Sequence, residues 1–245
     1  MNLTLKLQNL VPIRLKYVLK ESRLDFYRLL FREIRNQVNR NSSYGQTGED
    51  ALLQEYLPQK SGFYIDIGAG LPITGSNTYI FYRLGWRGIC VDPISKNYRL
   101  LKLLRSKDKI FQALVGPKSD AITFWEFEPY VYSTVDESVA NLVKNYPRVR
   151  LLERSKRSVV PLSEYALEVP VDVPTLLSID VEGYDLEVLK SNDWELFRPT
   201  VICVEEWLPT ADIEQESEIC VYLFQKGYKR VAYTGLSSIF MHSDS

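Results

Sequence analysis

Short apolar runs alternate with amphipathic segments along most of the chain. From residue 44 onward the runs have the length of buried strands, and the segments between them repeat apolar residues at helical spacing. Buried runs separated by helices are typical of a parallel sheet covered on both faces, so we predict an α/β fold. The predicted strands are 63–67, 88–92, 110–115, 175–180 and 200–205, with an extra strand at 121–127. The predicted helices are 48–57, 76–84, 95–104, 183–190 and 212–226.

The end of the chain predicts an antiparallel hairpin. Two strand-like runs, 228–233 and 238–242, are separated by only four residues, which leaves no room for a helix between them. A parallel sheet that ends in such a hairpin is not the arrangement of dinucleotide dehydrogenases. It is the seven-stranded, mostly parallel and Rossmann-like arrangement of class I methyltransferases, which use S-adenosylmethionine.

The first 40 residues differ from the rest in charge. They hold nine Lys and Arg against three acids, whereas the remaining 205 residues hold 21 basic and 28 acidic side chains. Apolar residues recur at helical spacing within 12–40, so basic amphipathic helices are predicted there. We interpret 1–43 as an N-terminal helical unit and 44–245 as the main domain, with a polar, aromatic-rich insertion at 128–158. The helices are expected either to contact an anionic membrane or to dock on the main domain or in a homodimer.

Composition narrows the classes of function. Thirty basic side chains face 31 acidic ones, and this balance argues against a nucleic-acid binder. Three scattered cysteines do not suit a disulfide framework, and a single histidine, His242, argues against triad or paired-histidine metal chemistry. We expect a cytoplasmic protein, with membrane association through the basic helices as an open alternative.

A glycine turn follows the first predicted strand, and an acid ends the second. The turn contains Asp66, Gly68 and Gly70, but the third glycine of a dinucleotide fingerprint is replaced by Ile73. Asp92 ends the next strand, where a carboxylate can accept the ribose hydroxyls of an adenosine. Each feature alone also fits a tight turn with a helix-capping acid. Together they favour S-adenosylmethionine over a nicotinamide dinucleotide.

Six separated blocks resemble, in order and spacing, the FkbM-type methyltransferases. They lie at 44–50, 62–69 with 76–79, 85–93, 160–166, 177–190 and 198–205. The resemblance covers about 44–206 and implies S-adenosylmethionine-dependent O-methylation, commonly of a sugar or another hydroxylated metabolite. It also implies that Gln46 and Glu49 cover the amino-acid end of the cofactor. The alternative for Gln46 and Glu49 is an ordinary helix start, in which Thr47 caps the helix and acids occupy its first turn. Asn77 could likewise contact the cofactor or simply cap the helix at 76–84.

Acids follow the fourth and fifth strands of the predicted parallel sheet, where ligands of open α/β sheets bind. Asp180, Glu182 and Glu205 are the catalytic candidates, and Glu206 is next to them. A hydroxyl acceptor needs a carboxylate base or a metal ion to make it nucleophilic. Clustered carboxylates repel one another, so either one of them keeps a proton or a divalent cation such as Mg²⁺, Ca²⁺ or Mn²⁺ neutralises them. The alternative is that Glu182 caps a helix while Glu205 and Glu206 pair with arginines.

Three functional interpretations follow. The leading one is an S-adenosylmethionine-dependent O-methyltransferase acting on a hydroxyl of a sugar, glycan or glycosylated metabolite. The others are a catalytically silent methyltransferase-like scaffold that binds partners, and a nicotinamide oxidoreductase, which Ile73 and the terminal hairpin disfavour. The aromatic residues in and beside the insertion fit an acceptor platform or a lid over the cofactor. They are Trp125, Phe127, Tyr130, Tyr132 and Tyr146.

Overall fold

A computed structural model describes residues 23–38, 43–206 and 217–243. The chain divides into two compact units, residues 1–40 and 41–245. The described part of the first unit is the helix α1 (Arg23–Val38), with an acid in its first turn and an arginine in its last, as the helix dipole favours. The predicted helical residues 12–22 and 39–40 lie outside the described part. No described helix is both long and apolar enough to span a membrane.

The second unit contains ten strands and seven α-helices among its described residues. The strands are β1 (Phe63–Ile67), β2 (Arg87–Val91), β3 (Lys109–Phe111), β4 (Leu114–Val115), β5 (Ser119–Glu128), β6 (Arg150–Val160), β7 (Thr175–Ile179), β8 (Val201–Glu205), β9 (Tyr228–Tyr233) and β10 (Ser237–His242). The helices are α2 (Glu49–Tyr56), α3 (Tyr79–Leu84), α4 (Ser95–Leu104), α5 (Glu137–Val143), α6 (Leu162–Ala166), α7 (Asp185–Lys190) and α8 (Glu218–Gln225), with a 3₁₀-helix at Tyr130–Tyr132.

Seven strands form the central sheet in the order β3-β2-β1-β7-β8-β10-β9. The first five run parallel, and β10 is antiparallel to both of its neighbours. The predicted class I methyltransferase fold with a terminal hairpin is therefore confirmed. The chain order reverses between β1 and β7, which is the switch point where open α/β sheets bind ligands.

Alternation along the strands builds a core on each face of this sheet. In β1, Tyr64 packs among side chains of α2, α3 and α4, whereas Ile65 and Ile67 pack among those of α6, α7 and α8. All three are essentially inaccessible to solvent. Because both faces are covered, the carboxyl edge of the sheet is the place where polar side chains can meet a ligand.

A second, three-stranded sheet has the order β4-β6-β5. It corrects two sequence interpretations. The apolar run 110–115 is not one strand, because β3 pairs with β2 while β4 pairs with β6, and Leu114 packs against Ile94 and Phe124. The predicted insertion 128–158 also contains most of β6, a long strand that its exposed, charged residues conceal from an apolar-pattern search.

Candidate active site

A cleft opens at the carboxyl edge of the central sheet, where β7 and β8 end. Three further segments reach it: the loop before α2, the loop between β1 and α3, and the turn between β9 and β10. The lining residues are Gln46, Glu49, Asn77, Asp180, Glu205, Leu236 and Ser237. All but the last two were singled out as site residues from the sequence, so the structure brings five of them together.

Three carboxyl groups converge beside this cleft. Asp180 follows β7, Glu205 ends β8, and Glu182 lies in the turn that leads into α7. One carboxylate oxygen of each lies within 4.8 Å of one from each of the others. We call these three residues the acid trio.

The acid trio holds its protons unusually tightly. Burial, followed by the neighbouring negative charge of Asp180, raises the pKa of Glu182 to about 8. Burial and the charge of Glu182 likewise raise the pKa of Glu205 to about 8. The pKa of Asp180 lies well above its ordinary value, again through burial first and then the charge of Glu205. Among the described ion pairs, none joins a lysine or arginine to any of these three groups.

Hydrogen bonds to the side chain of Asp185 stabilise the turn after β7. Asp185 is buried, and its carboxylate accepts hydrogen bonds from the backbone N–H groups of Val181 and Gly183, both at 3.2 Å. Glu182 has a φ of 55°, a left-handed conformation that is rare outside glycine, and its carbonyl accepts a hydrogen bond from the Thr134 hydroxyl at 2.9 Å. The suggestion that Glu182 caps the helix is wrong, because α7 begins at Asp185.

Glu206 does not join the acid trio. Its carboxylate accepts hydrogen bonds from the hydroxyls of Ser217 and Ser238 and forms an ion pair with Arg230 at 3.6 Å. Successive side chains of a strand point to opposite faces, so Glu205 and Glu206 cannot both face the cleft. The predicted pairing with an arginine therefore holds for Glu206 alone among the described ion pairs.

Gly68 brings the ends of β1 and β7 together. Its φ is 75°, and a Cβ atom at this position would lie 1.8 Å from the carbonyl oxygen of Asp180. Any side chain at residue 68 would therefore push Asp180 away from the sheet edge. The nearby Gly70 has a φ of 58°, and its N–H donates to the Asp92 carboxylate at 2.9 Å. Both glycines fit the predicted turn. At Gly68, however, the group that approaches closely is the backbone of Asp180 and not a ligand.

Asp92 is buried at the end of β2 and already has three hydrogen-bond donors. The N–H of Ile94 donates to one carboxylate oxygen at 2.8 Å, whereas Gly70 N–H and the Asn97 amide donate to the other. The pKa of Asp92 is raised to about 7, because the effect of burial exceeds the opposing effect of these three hydrogen bonds. A carboxylate offers about four acceptor positions, so one position is left for a ribose hydroxyl.

A buried arginine, which the sequence interpretation missed, organises the loop between β1 and α3. Arg105 donates to Thr78, and Thr78 donates in turn to the carboxylate of Asp66 at 2.5 Å. Arg105 is fully inaccessible to solvent, and its other partners are Asp108, Pro72, Ser76 and Tyr64. Burial raises the pKa of Asp66, while Thr78 and then Arg105 lower it. A signal existed: Arg105 lies four residues after the buried Leu101 and directly follows α4.

The remaining predicted cofactor residues border the cleft. Glu49 is buried and accepts hydrogen bonds from Thr47 and from the Thr234 hydroxyl, the latter at 3.1 Å. The Asn77 amide donates to Ser178 in β7 at 3.4 Å and lies 3.8 Å from the sulfur of Cys203 in β8. Gln46 is exposed. The capping interpretation fails for Thr47, because α2 begins after Gly48 without a side-chain cap.

His242 lies away from the acid trio. It pairs with Tyr228 at the end of β10 opposite to the cleft, and its ring packs against the Tyr228 ring with centroids 5.2 Å apart. Ser237, at the other end of β10, pairs with Glu205 and lines the cleft. The single histidine is therefore not a candidate base.

The charge of the cleft suits a cationic ligand. S-adenosylmethionine carries a sulfonium and an ammonium group, and the carboxylates of Glu49, Asp180 and Glu205 line the cleft. The amides of Gln46 and Asn77 are suitable donors for its carboxylate. A diphosphate would face repulsion from the same acids. The residues present therefore fit S-adenosylmethionine better than a dinucleotide.

A family comparison agrees with this geometry. The model of the methyltransferase FkbM domain matches residues 66–230, which is more than half of the chain and includes the acid trio. The chain belongs to the FkbM methyltransferase family. The resemblance found in the sequence blocks is thus confirmed, and the family assignment makes the chain a methyltransferase that uses S-adenosylmethionine.

Comparison with solved structures returns other methyltransferases at low similarity. A methyltransferase from Geobacter sulfurreducens is 11% identical, with 98% of this chain and 94% of that chain covered and a TM-score of 0.45. The O-methyltransferase from Bacillus cereus, determined in complex with SAH, is also 11% identical, with 93% of each chain covered and a TM-score of 0.34. No curated protein matches the chain significantly. The family assignment therefore rests on the domain match alone.

Proposed function

We propose that this FkbM-family protein transfers a methyl group from S-adenosylmethionine to a hydroxyl oxygen of a sugar, glycan or glycosylated metabolite. The observation that carries the proposal is the acid trio, three carboxyl groups at the edge of the cleft that have raised pKa values and take part in none of the described ion pairs. Nitrogen and sulfur acceptors are nucleophilic once deprotonated near neutral pH. An alcohol stays protonated at that pH and is then a weak nucleophile, so it needs an adjacent base to take its proton.

In this proposal the base is the carboxyl pair Asp180 and Glu205, whose oxygens lie within 4.8 Å of one another. When bound, S-adenosylmethionine supplies an electrophilic methyl group whose sulfur leaves as a neutral thioether. The acceptor hydroxyl loses its proton to the carboxyl pair as its oxygen bonds to the methyl carbon. A general base works best when its pKa lies near the operating pH, and the pKa of about 8 for Glu205 meets that condition.

A divalent cation is part of the proposal as a second way of activating the hydroxyl. Asp180, Glu182 and Glu205 would hold it, since they offer an oxygen-only set of ligands without histidine, which suits Mg²⁺, Ca²⁺ or Mn²⁺. Such a cation would lower the pKa of a bound hydroxyl and neutralise the repulsion among the three acids. In that case the acids act as ligands, and the acceptor proton leaves to solvent.

The test combines binding with transfer. Calorimetric titration with SAH establishes cofactor binding, and incubation with methyl-labelled S-adenosylmethionine and a panel of sugars and glycans identifies the acceptor. Label recovered as a methyl ether supports the proposal. Label on nitrogen, or SAH binding without transfer across the panel, contradicts it and favours the scaffold interpretation. Loss of transfer in EDTA with recovery in Mg²⁺ selects the cation, whereas unchanged transfer selects the carboxyl base.

We also propose that α1 brings the protein to an anionic membrane surface. Three apolar side chains on one face of this helix are exposed: Tyr27 (54%), Phe31 (64%) and Ile34 (39%). Exposed arginines follow them along the helix at residues 28, 32 and 35. An apolar stripe beside a row of arginines is the pattern of helices that lie in the membrane interface. The charge of the row favours anionic lipid over a second copy of the same basic segment.

A further inference from the structure

Tyr130 is the insertion aromatic that reaches the glycine turn. A Cβ atom at Gly70 would lie 3.4 Å from the Tyr130 hydroxyl oxygen and 3.5 Å from its ring carbon Cε2. The Tyr130 ring is half-buried and packs against a cluster that includes Ile94, which is two residues after Asp92. The insertion therefore places a hydroxyl group beside the glycine turn, near the end of the second strand.

The other aromatic residues of this region have different partners. Trp125 and Phe127 are buried with α5 in a small core of their own. The rings of Tyr132 and Tyr146 pack edge to face, with centroids 5.9 Å apart. Because Trp125 and Phe127 are buried, an acceptor platform of the kind suggested by the sequence cannot present all five rings to a ligand.

Asp92 alone has too few free acceptor positions for both ribose hydroxyls, and the Tyr130 hydroxyl can provide a second hydrogen-bonding group. An adenosine ribose has two adjacent hydroxyl groups, whereas Asp92 has about one acceptor position beyond its three internal hydrogen bonds. A tyrosine hydroxyl can donate one hydrogen bond and accept another. Both Asp92 and Tyr130 lie against the same residue, Gly70.

We propose that Tyr130 is a nucleoside-binding residue, whose hydroxyl contacts one ribose hydroxyl of the cofactor while Asp92 contacts the other. The inference rests on the proposed function, since it assumes S-adenosylmethionine in the cleft. It assigns the beginning of the insertion to the cofactor instead of the acceptor. The insertion then contacts two parts of the sheet edge. Tyr130 lies beside the glycine turn after β1, and the Thr134 hydroxyl donates to the carbonyl of Glu182 after β7.

The test measures SAH binding to the full chain by calorimetry. Tyr130→Phe removes only the hydroxyl, and we expect affinity about 3- to 10-fold weaker, the usual value of one neutral hydrogen bond. The same titration is repeated with two SAH analogues that lack the 2′- or the 3′-hydroxyl. The Tyr130→Phe deficit should vanish with the analogue that lacks the contacted hydroxyl and persist with the other. Tyr132→Phe is the matched control, because it removes a hydroxyl from the same 3₁₀-helix and should leave affinity unchanged.

Two results overturn the contact. One is SAH binding by Tyr130→Phe that is as tight as binding by the parent. The other is a deficit that persists with both analogues, which would indicate an indirect effect on the turn. A raised KM for the acceptor with unchanged SAH affinity would assign Tyr130 to the acceptor side. Failure of the parent itself to bind SAH would instead overturn the proposed function, so the two failures are distinguishable. Circular dichroism of each variant establishes that the fold is retained.

Discussion

The main domain contains two groups of acids whose charges are compensated in opposite ways: a buried pair, Asp66 and Asp108, and the half-buried acid trio. Asp66 and Asp108 share a buried arginine, Arg105, which forms an ion pair with Asp108 at 2.9 Å and reaches Asp66 through Thr78. The acid trio has no such described partner, and the pKa values of its members are raised instead. In one group the compensating positive charge comes from the protein itself. In the other, we expect it to come from bound ligands or protons.

This difference separates acids that stabilise the structure around the site from acids that are expected to contact its ligands. A buried charge is tolerated when a permanent counter-ion and hydrogen bonds compensate it, and then it fixes geometry. A cluster without compensation destabilises the fold, and such clusters occur where the missing charge comes from a ligand or a proton. The sulfonium and ammonium groups of the cofactor, a divalent cation and the acceptor proton are all positive charges of this kind.

The largest expected effect comes from removing the internal counter-ion. Arg105→Met leaves Asp108 buried and unpaired and deprives Thr78 and Tyr64 of their donor. Breaking a buried ion pair in this way lowers the free energy of unfolding by about 3–5 kcal/mol. Chemical denaturation measures the change, and Arg99→Met, at an exposed position of the preceding helix α4, is the control. Near-parent stability of Arg105→Met would mean that the two groups of acids do not differ as described.

The second effect is on catalysis. Asp180→Asn removes a carboxylate from the acid trio without changing its size, so turnover should fall at least about 100-fold whether Asp180 serves as base or as metal ligand. SAH affinity should change much less, as calorimetry can establish. Glu187→Gln, at a surface acid of α7 that pairs with Lys190, is the matched control. Parent-like turnover of Asp180→Asn would remove this residue from the mechanism.

The sequence predicts much of the acid trio, but it does not predict how the other acids are compensated by Arg105. Asp180 and Glu205 were identifiable because each follows an apolar run that could only be a buried strand. The orientation of Glu206 was not, since it depends on which face the last strand residue presents. Arg105 contacts Pro72, Ser76 and Tyr64, between 29 and 41 residues earlier in the chain, and no local pattern reports such distant partners.

The third effect is on stability and has the opposite sign to the first. The pKa of Glu205 is about 8 in the folded protein against an ordinary value of 4.5, so the folded state binds more protons than the unfolded chain between these values. The free energy of unfolding should therefore fall as pH rises from about 4.5 to about 8. Glu205→Gln removes this titration and should stabilise the protein at pH 8 by about 1–2 kcal/mol while reducing activity.

Thermal unfolding of the parent and Glu205→Gln at pH 5 and pH 8.5 measures this effect. The difference in Tm between the two proteins should be small at pH 5 and favour the variant at pH 8.5. Glu206→Gln is the contrasting variant, because Glu206 has an arginine and two hydroxyl donors, and its removal should destabilise the protein at both values. Equal behaviour of the two variants would contradict the division between compensated and uncompensated acids.

The smallest effect extends the comparison from the acidic cleft to the basic N-terminal helix. Each basic residue near an anionic membrane contributes about 1 kcal/mol, but Arg28 is shared with Asp25 through an ion pair at 3.2 Å. Replacing Arg28, Arg32 and Arg35 with glutamine should therefore weaken binding to anionic vesicles by about tenfold or more, as co-sedimentation measures. Phe31→Ser should weaken binding at high salt as well, because its contribution is apolar and is not screened. Binding that is indifferent to lipid charge, or a dimer in analytical ultracentrifugation that dissociates on the same substitutions, would assign the exposed stripe to a second copy instead of a membrane.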